Sequence, residues 1–280
     1  MLVGLINGAF YATLSLGLSI IFGLLGVVNL AQGAFYMLGA FFAWMLLQGM
    51  GIGYWWALIL APIGVAAVAT VIERLLIRRI YGLEHSFGLL LTFGIFLIIQ
   101  GTFVYVFGSA GQPYPIPPEL QGGYNLGFMF LPKYRLWVIV VSLTLCFTTW
   151  YVIERTPVGR TLRAASENPD LTRAFGINVP SLVTIGFAVG VGLAAIAGVL
   201  AAPIYAVSPL MGADIIIVVF AVVVIGGMGS ILGSIVTGVG LGLLEGVTKA
   251  FYPQASTSVI FVMMILVLLL KPAGLFGRER

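Results

Sequence analysis

The chain has 280 residues, of which 61% are hydrophobic and 8% are charged. A water-soluble domain usually carries about 25% charged residues, so this composition excludes an ordinary soluble fold. The formal net charge of +4 is small. The basic residues follow the ends of apolar segments, a distribution that predicts no nucleic-acid partner.

Eight apolar segments follow one another along the chain. Runs of this length without polar alternation are typical of membrane-spanning helices rather than of barrel strands. They lie at 3–25, 33–50, 55–76, 86–107, 134–153, 181–206, 213–250 and 256–270. We predict an all-α polytopic protein in membrane lipid. It would form a single transmembrane domain over residues 1–280, with eight or nine membrane segments, some of them broken at glycines.

The basic residues predict the side of the membrane on which each loop lies, because Lys and Arg accumulate in cytoplasmic loops. Most of them fall in three clusters: Arg74, Arg78 and Arg79; Arg155, Arg160, Arg163 and Arg173; and Lys271, Arg278 and Arg280. This pattern places the loop 155–178 and the C-terminus inside, and the loop 108–133 and the N-terminus outside. The stretch 112–118 of the external loop is rich in Pro and cannot be helical.

Two glycine-rich stretches interrupt the apolar segments, Gly26–Gly33 before the second segment and Gly226–Ser230 inside the seventh. Because the charge-free run Ile215–Leu244 exceeds one crossing of about 20 residues, the second stretch divides it into a descending piece and an ascending helix. Interrupted helices in corresponding places of two halves indicate a translocation path, but two ordinary tight turns explain the glycines equally well. The candidate path residues are Asn29, Gln32, Gly33, Gly226, Gly227, Gly229 and Ser230.

The loop 155–178 contains a predicted short helix that begins after Asn168. Asn168 suits the N-cap, Pro169 suits the first helical position, and Gly176 suits the stop. The apolar residues that share one face of this helix are Leu171, Ala174 and Phe175. Such a helix fits the inner surface of a membrane and a groove on a cytosolic partner equally well.

Charged residues are sparse within the apolar segments. Glu245 and Lys249 stand four apart on one helix, and this spacing favours an ion pair at the outer boundary over the functional role that charge inside a membrane otherwise indicates. Asp214 follows Pro209 and Gly212, so it is predicted to lie near a helix N-terminus.

Small residues recur at every fourth position in two of the later segments. Such stripes let helix backbones approach closely in lipid, so we predict tight helix packing along them. The stripes are Gly186, Gly190, Ala194, Gly198 and Ala202, and Ser230, Ser234, Gly238, Gly242 and Gly246.

The chain lacks the residues that most catalytic sites need. It has no Gly-x-x-x-x-Gly-Lys-Ser/Thr phosphate loop, and therefore no ATP site of that kind. His85 is the sole His and Cys146 the sole Cys, so neither a His-based metal cluster nor a catalytic triad can be assembled. We expect no enzymatic activity, no metal site and no cofactor.

Three stretches carry a resemblance over most of the chain. They are Asn7–Gly17 with Phe22–Ala40, then Arg163–Asn178, and finally Val224–Ser234 with the closing Leu268–Gly277. In this order they resemble the inner-membrane permeases of bacterial branched-chain amino acid ABC transporters. One departure is Gln32, where the family often has His, which argues against an ionisable group at that position.

The resemblance implies a permease subunit of an ABC importer in the bacterial inner membrane, moving branched-chain or other small neutral amino acids. The implied partners are a second homologous permease subunit, two cytoplasmic ABC ATPase subunits and a periplasmic substrate-binding protein. The residues implied to dock onto the ATPase are Arg163, Glu167, Asp170, Leu171, Arg173, Phe175 and Gly176. Related permeases serve urea, amides or aromatic acids, and a passive channel or secondary carrier is a rival class.

Overall fold

The computed structural model describes residues 2–81, 85–125, 127 and 130–277, and these residues are mostly helical. The α-helices are α1 (Leu2–Leu25), α2 (Gln32–Met50), α3 (Tyr54–Leu75), α4 (His85–Phe107), α5 (Lys133–Arg155), α6 (Pro157–Glu167), α7 (Pro169–Ala174), α8 (Val179–Tyr205), α9 (Met211–Gly226), α10 (Ile231–Phe251) and α11 (Ser258–Leu270). Two short strands, β1 (Gly123–Asn125) and β2 (Phe130–Pro132), pair antiparallel between α4 and α5.

Seven helices in the described part of the chain are long and apolar enough to cross a membrane. They are α1, α2, α3, α4, α5, α8 and α10, and the shorter apolar helices are α9 and α11. The prediction of an all-α polytopic protein is therefore confirmed, and the predicted eight or nine segments compare with seven full-length spans and two shorter apolar helices. The predicted break in the long run 213–250 is also confirmed, because α9 ends at Gly226 and α10 begins at Ile231.

Helices α1 and α8 lie at the centre of the bundle. They are the most buried of the seven spans, whereas α4 is the least buried. Helix α1 packs mainly on α10 and α8, and α8 packs mainly on α2 and α3. The central position of α1 fits its composition, since it contains no charged residue that would need water.

The small-residue stripes bring helix backbones into contact, as predicted. On α10, Gly242 lies so close to Gly8 of α1 that an added Cβ would overlap the Gly8 backbone. On α8, Gly190 faces Gly17 of α1 in the same way. Side chains add to the α1–α10 contact, where the Ser15 hydroxyl donates to the Ser234 carbonyl (3.3 Å). These contacts hold α1 between α8 and α10 at backbone distance.

Helices α2 and α9 begin inside the bundle rather than at its ends. The Nε2 of Gln32, the first residue of α2, donates to the carbonyl of Gly190 in the middle of α8 (3.0 Å). In the first turns of α2 and α9, Gly33 and Gly212 pack backbone to backbone, and a Cβ on either would overlap the other residue. From Gly33 to Met50, α2 rises about 25 Å at 1.5 Å per residue, so both N-termini lie deep between the two ends of the bundle.

Several of the basic segments converge at one end of the bundle, named here the basic end. An apolar cluster at this end joins the last turn of α1, the turn after α3, helix α6 and the first turns of α8. Its members are Leu25, Tyr81, Ala165, Val179, Leu182 and Val183. The loop between α5 and α8 is thereby fixed to the ends of the central helices.

The segment after α11 folds back onto the end of α9. The backbone N–H groups of Leu275 and Phe276 donate to carbonyls of the last two residues of α9 (2.8 and 3.1 Å). This contact places Lys271, the member of the third basic cluster that the structure describes, at the basic end. Arg278 and Arg280, which the sequence analysis counts in that cluster, lie outside the described residues.

The opposite end of the bundle carries the Pro-rich segment. Gln112 and Val207 exchange two backbone hydrogen bonds (2.7 and 2.8 Å), which tie this segment to the residues after α8. The prediction that the Pro-rich stretch is not helical is confirmed for residues 112–117, and a single 3-10 turn begins at Pro118. The pair β1–β2 extends the loop, a feature that the sequence pattern did not predict.

Candidate docking loop and translocation path

The loop between α5 and α8 forms two short helices, α6 and α7. Helix α7 begins as predicted, with the Asn168 side chain accepting the N–H of Leu171 (2.9 Å) and Pro169 at the first position. It ends before Gly176, whose φ of +80° is left-handed, a conformation that favours glycine. Helix α6, which also begins with a proline at its first position, was not predicted.

Helix α7 presents its apolar side chains outward. Leu171 is 55% exposed and Phe175 is 78% exposed, whereas Thr172 is buried and faces the rest of the protein. The predicted face of Leu171, Ala174 and Phe175 is therefore exposed to the surroundings of the bundle. A short helix at the basic end that exposes two large apolar side chains is typical of a surface that meets another molecule.

The polar residues predicted around this surface are held by local contacts. Arg163 forms an ion pair with Glu154 (2.8 Å) and donates to the carbonyl of Ile153 (2.9 Å), so it links α6 to the end of α5. Arg173 pairs with Asp170 on the exposed side of α7 (3.1 Å). Glu167 ends α6 on the surface. The seven predicted docking residues thus lie along one continuous loop at the basic end.

Glu73 is a residue of this region that the sequence analysis did not single out. It is fully buried near the end of α3. Its carboxylate accepts hydrogen bonds from the hydroxyls of Tyr81 (2.7 Å) and Thr184 (2.8 Å). Burial and the bond to Glu73 raise the pKa of the Tyr81 hydroxyl. Since Thr184 lies in the second turn of α8, the carboxylate connects α3 to the helix that follows the docking loop.

The first glycine-rich break lies in the interior of the bundle. Asn29 and Gln32 are almost completely buried. The Asn29 side-chain oxygen accepts the N–H of Ala31 (3.2 Å). The backbone N–H of the next residue, Leu30, donates to the hydroxyl of Thr92 in α4 (3.2 Å). Asn29 Nδ2 and Gln32 Oε1 have no hydrogen-bond partner among the described residues. Two unpaired polar atoms therefore lie where α2 and α9 begin.

The second break lies at the basic end rather than beside the first. Gly227 and Gly229 have left-handed φ values of +98° and +82°. Gly227 packs against the backbone of Gly277, and Ser230 accepts the N–H of Gly233 as the N-cap of α10. The structure therefore does not bring the candidate residues at Gly226–Ser230 together with Asn29 and Gln32.

The predicted ion pair between Glu245 and Lys249 is wrong. Glu245 turns inward, where its Oε2 accepts hydrogen bonds from the hydroxyl of Tyr11 (2.8 Å) and from Asn7 Nδ2 (3.2 Å). Lys249 is exposed and forms no ion pair with it. Spacing of four residues allows such a pair but cannot report polar partners on a distant helix. The prediction that Asp214 lies near a helix N-terminus is confirmed, since it is in the first turn of α9.

Among residues 2–81, 85–125, 127 and 130–277, no group of three His, Cys, Asp or Glu side chains could hold a metal ion. Cys146 is buried and unpaired.

The comparisons with known proteins agree with a membrane transport role. Residues 1–270 match the family described as branched-chain amino acid transport system / permease component. The chain is 28% identical to the high-affinity branched-chain amino acid transport system permease protein LivH of Escherichia coli strain K12, over 99% of this chain and 94% of that protein. It is 30% identical to the corresponding permease protein BraD of Pseudomonas aeruginosa, over 98% of this chain and 94% of that protein.

A second type of relative is matched over a smaller share of its own length. The permease protein LivM of Salmonella typhimurium is 28% identical over 96% of this chain and 68% of that protein. No solved structure matches the chain at a significant level. The chain belongs to the branched-chain amino acid transport permease family, and it is a multi-pass membrane protein.

Proposed function

We propose that this chain is the membrane-spanning permease subunit of an ATP-driven importer of branched-chain or other small neutral amino acids in the bacterial inner membrane. The observation that carries the proposal is the exposed apolar pair Leu171 and Phe175 on α7, held at the basic end of a permease. By the positive-inside rule, the basic end faces the cytoplasm. The docking partner is then a cytoplasmic ATPase, which supplies the phosphate loop that this chain lacks.

The geometry of the loop suits the docking of a helix into a groove. Leu171 and Phe175 are four residues apart, so they form adjacent anchors on one side of α7. Asp170 and Arg173 lie beside them on α7, and Arg163 holds α6 to the end of α5, so these charges suit a polar rim. Glu167 and Gly176 complete the proposed docking surface, the first at the end of α6 and the second at the stop of α7.

Movement of the loop can reach the membrane helices in two successive steps. Helix α7 leads directly into α8 through the turn at 175–178, where Asn178 caps α8 by accepting the N–H of Ser181 (3.1 Å). From α8, the bond between Thr184 and Glu73 leads to α3. Closure of the ATPase subunits would therefore tilt α8 together with α3.

The proposed partners are those that the family resemblance implies. This chain is similar both to LivH and to LivM proteins, and it accordingly pairs with a second homologous permease subunit. Two ATPase subunits bind the basic end, and a periplasmic substrate-binding protein delivers the solute to the opposite end. The path between them passes Asn29, Gln32 and Gly33 in the interior, and the break at Gly226–Ser230 forms its cytoplasmic mouth.

The double substitution Leu171→Asp with Phe175→Asp tests this function. Carboxylates at both anchors cannot enter an apolar groove without a large desolvation cost, so we expect loss of ATPase co-purification and of ATP-dependent leucine uptake. Membrane insertion should be unchanged, because both side chains are exposed. Pull-down of the ATPase and uptake into vesicles measure the two effects.

A control places a carboxylate on an exposed apolar residue at the other end of the molecule. Phe130 in β2 is 62% exposed, and Phe130→Asp should leave ATPase binding intact. Wild-type ATPase binding and uptake in the double variant would contradict the docking role. Uptake by the wild-type chain without any ATPase would indicate a passive channel or secondary carrier instead.

A further inference from the structure

A cleft of about 390 Å³ lies at the end of the bundle opposite the basic end, between the start of α3 and the Pro-rich segment. One wall contains Gly53, Tyr54 and Trp55, and the other wall runs from Tyr114 to Glu119. This cavity is named here the outer cleft. It lies apart from the docking loop and from the interior residues of the proposed path.

The walls of the outer cleft are fixed by hydrogen bonds and ring contacts. The Tyr54 hydroxyl accepts Nε1–H of Trp137 in α5 (3.2 Å), and the Trp55 ring packs edge to face with Trp137. Trp55 Nε1 also donates to the Glu119 carboxylate of the other wall (3.4 Å). The bridge between the Pro-rich segment and the residues after α8 holds that wall to the bundle. The cleft is therefore formed before any ligand binds.

The wall that follows Tyr114 presents acceptors and negative charge. Glu119 is exposed and forms no ion pair among the described residues. Pro115, Pro117 and Pro118 have no backbone N–H, so their part of the wall offers carbonyl groups without donors. The aromatic rings of the cleft attract cations through their faces. Since no described residue that lines the cleft is Lys or Arg, this wall suits a cationic group of a ligand.

The Tyr114 hydroxyl independently indicates a ligand. Tyr114 lines the cleft and is 6% exposed. Its hydroxyl has no hydrogen-bond partner within the part of the chain that the structure describes. A buried hydroxyl without a partner is unfavourable, so a polar ligand group that completes its hydrogen bonding is stabilised there.

The start of α3 supplies donors on the other wall. Helix α3 begins at Tyr54, and its N-cap residue Gly53 has no side chain that could accept the N–H groups of the first turn. The first turn also contains no acidic residue. Such an N-terminus favours phosphate, because its free N–H groups and the helix dipole both attract an anion. The outer cleft therefore suits a ligand that carries a phosphate and a cationic group close together.

The level of the outer cleft in the membrane indicates the source of such a ligand. The span that contains α3 begins at the cleft. Trp55 and Trp56 in its first turn are 41% and 66% exposed. Exposed Trp at the end of a span is typical of the level of the lipid headgroups. Headgroups of the surrounding bilayer therefore lie beside the cleft.

We propose that the outer cleft binds the headgroup of a phospholipid with a primary ammonium group, namely phosphatidylethanolamine. Its phosphate lies at the N-terminus of α3, and its ammonium group lies between the Glu119 carboxylate, the Tyr114 hydroxyl and the aromatic rings. The bound lipid joins α3 to the Pro-rich segment. This inference goes beyond the proposed import function and does not depend on which solute is transported.

Lipid titration followed by native mass spectrometry tests the site. The full-length protein is purified in detergent with its partner subunits, stripped of lipid and titrated with three lipids that share the same acyl chains. Phosphatidylcholine keeps the phosphate but has no N–H donor, and phosphatidylglycerol lacks the ammonium group. We expect the first phosphatidylethanolamine to bind about tenfold more tightly than either, because each of the others loses a charged hydrogen bond.

Variants of the two polar residues separate this site from general lipid binding. Glu119→Gln should lower the affinity for phosphatidylethanolamine about tenfold, and Tyr114→Phe about fivefold, while the affinities for the other two lipids stay unchanged. The matched control Tyr124→Phe removes a hydroxyl from β1 at the same end but outside the cleft, and it should bind like the wild type. Without lipid, all three variants should have the thermal midpoint of the wild type, because Glu119 and Tyr124 are exposed and the Tyr114 hydroxyl has no partner.

Several outcomes would overturn the inference. Equal binding of the three lipids, or an unchanged preference in Glu119→Gln, would show that the cleft does not read the headgroup. Displacement of the lipid by L-leucine would make the cleft a solute site, and equally tight binding of soluble phosphoethanolamine would exclude the lipid as the particular occupant. Weaker capture of the substrate-binding protein by Glu119→Gln, with an unchanged lipid preference, would identify a protein docking site instead. None of these measurements involves transport, so they are independent of the proposed function.

Discussion

Single polar residues determine how the interior of this bundle is held together, and Glu73 is the clearest example. Its carboxylate is fully buried and accepts two hydroxyl hydrogen bonds, from Tyr81 and Thr184. The Thr184 hydroxyl can also donate to the carbonyl of Pro180 (3.1 Å), whereas Tyr81 makes its only side-chain hydrogen bond to Glu73 within the described residues. Loss of the carboxylate therefore affects Tyr81 most.

Replacing Glu73 with Ala should destabilise the protein. Tyr81 is half-buried, and leaving its hydroxyl without an acceptor costs at most about 1–3 kcal/mol, so the thermal midpoint of the detergent-solubilised protein should fall by a few degrees. The control is Glu119→Ala, because Glu119 is an exposed acid at the opposite end, and surface changes usually alter stability by less than about 0.5 kcal/mol. Equal midpoints for the two variants would exclude a structural role for the Glu73 carboxylate.

Residue-level prediction from the sequence succeeded where the signal is local. The cap at Asn168 and the stop at Gly176 depend on the neighbouring backbone alone, and both are confirmed. The partner of Glu245 could not be predicted, because Asn7 and Tyr11 precede it by more than 200 residues in the chain. Glu73 was not recognised, because a single carboxylate at a helix end has the same sequence pattern whether it is buried or exposed.

At the scale of helices, the contact between α1 and α10 depends on glycine. Gly4, Gly8 and Ala12 of α1 face Gly238, Gly242 and Gly246 of α10, and an added Cβ at several of these positions would overlap the facing backbone. In lipid, such close approach supplies the packing that the hydrophobic effect cannot supply between spans. The contact is therefore sensitive to side-chain size on one face of α10 only.

Two glycines of α10 test this directly. Gly242→Leu should separate α1 from α10, and the detergent-solubilised protein should aggregate or lose several degrees in thermal midpoint. The matched variant Gly240→Leu adds the same side chain where no atom lies within 4 Å of the new Cβ, and it should behave like the wild type. Size-exclusion profiles and thermal melts measure both. Comparable behaviour of the two variants would contradict the packing account.

The sequence predicted the apolar helices, but it predicted neither α6 nor where each apolar helix starts relative to its neighbours. Apolar length and Gly-rich breaks identified α9 and α10 as separate helices, as observed. The start of α2 and α9 in the interior depends on the backbone contact between Gly33 and Gly212. Hydropathy averages over many residues, so it contains no information about such a pairing.

The whole molecule has two chemically different ends. The basic end carries the loop from α6 to α7, and the opposite end carries the Pro-rich segment and the pair β1–β2. A hydrogen-bonded group of Asn7, Tyr11, Tyr205 and Glu245 joins α1, α8 and α10. This polarity suits vectorial transport, because the two ends can bind different partners.

Cysteine labelling in intact cells should establish which end faces the cytoplasm. Cys146 is the sole native Cys and is buried, so Cys146→Ala gives a background without a thiol. In that background, Asp170→Cys at the basic end should react with a membrane-impermeant maleimide only after the cells are opened. Glu119→Cys at the opposite end should react in intact cells. The reverse pattern would invert the proposed orientation and remove the basis for ATPase docking.

The backbone contact between α1 and α10 has a consequence for biosynthesis. Helix α1 enters the bilayer early, but its partner α10 is more than 200 residues further along the chain and emerges roughly 10–40 s later at ordinary rates of translation. During this interval the glycine face of α1 is not covered by α10, and it contacts lipid or a membrane-resident chaperone instead. Helix α1 is therefore made long before the helix that becomes its main neighbour, and until α10 arrives its glycine face is open to association with other helices.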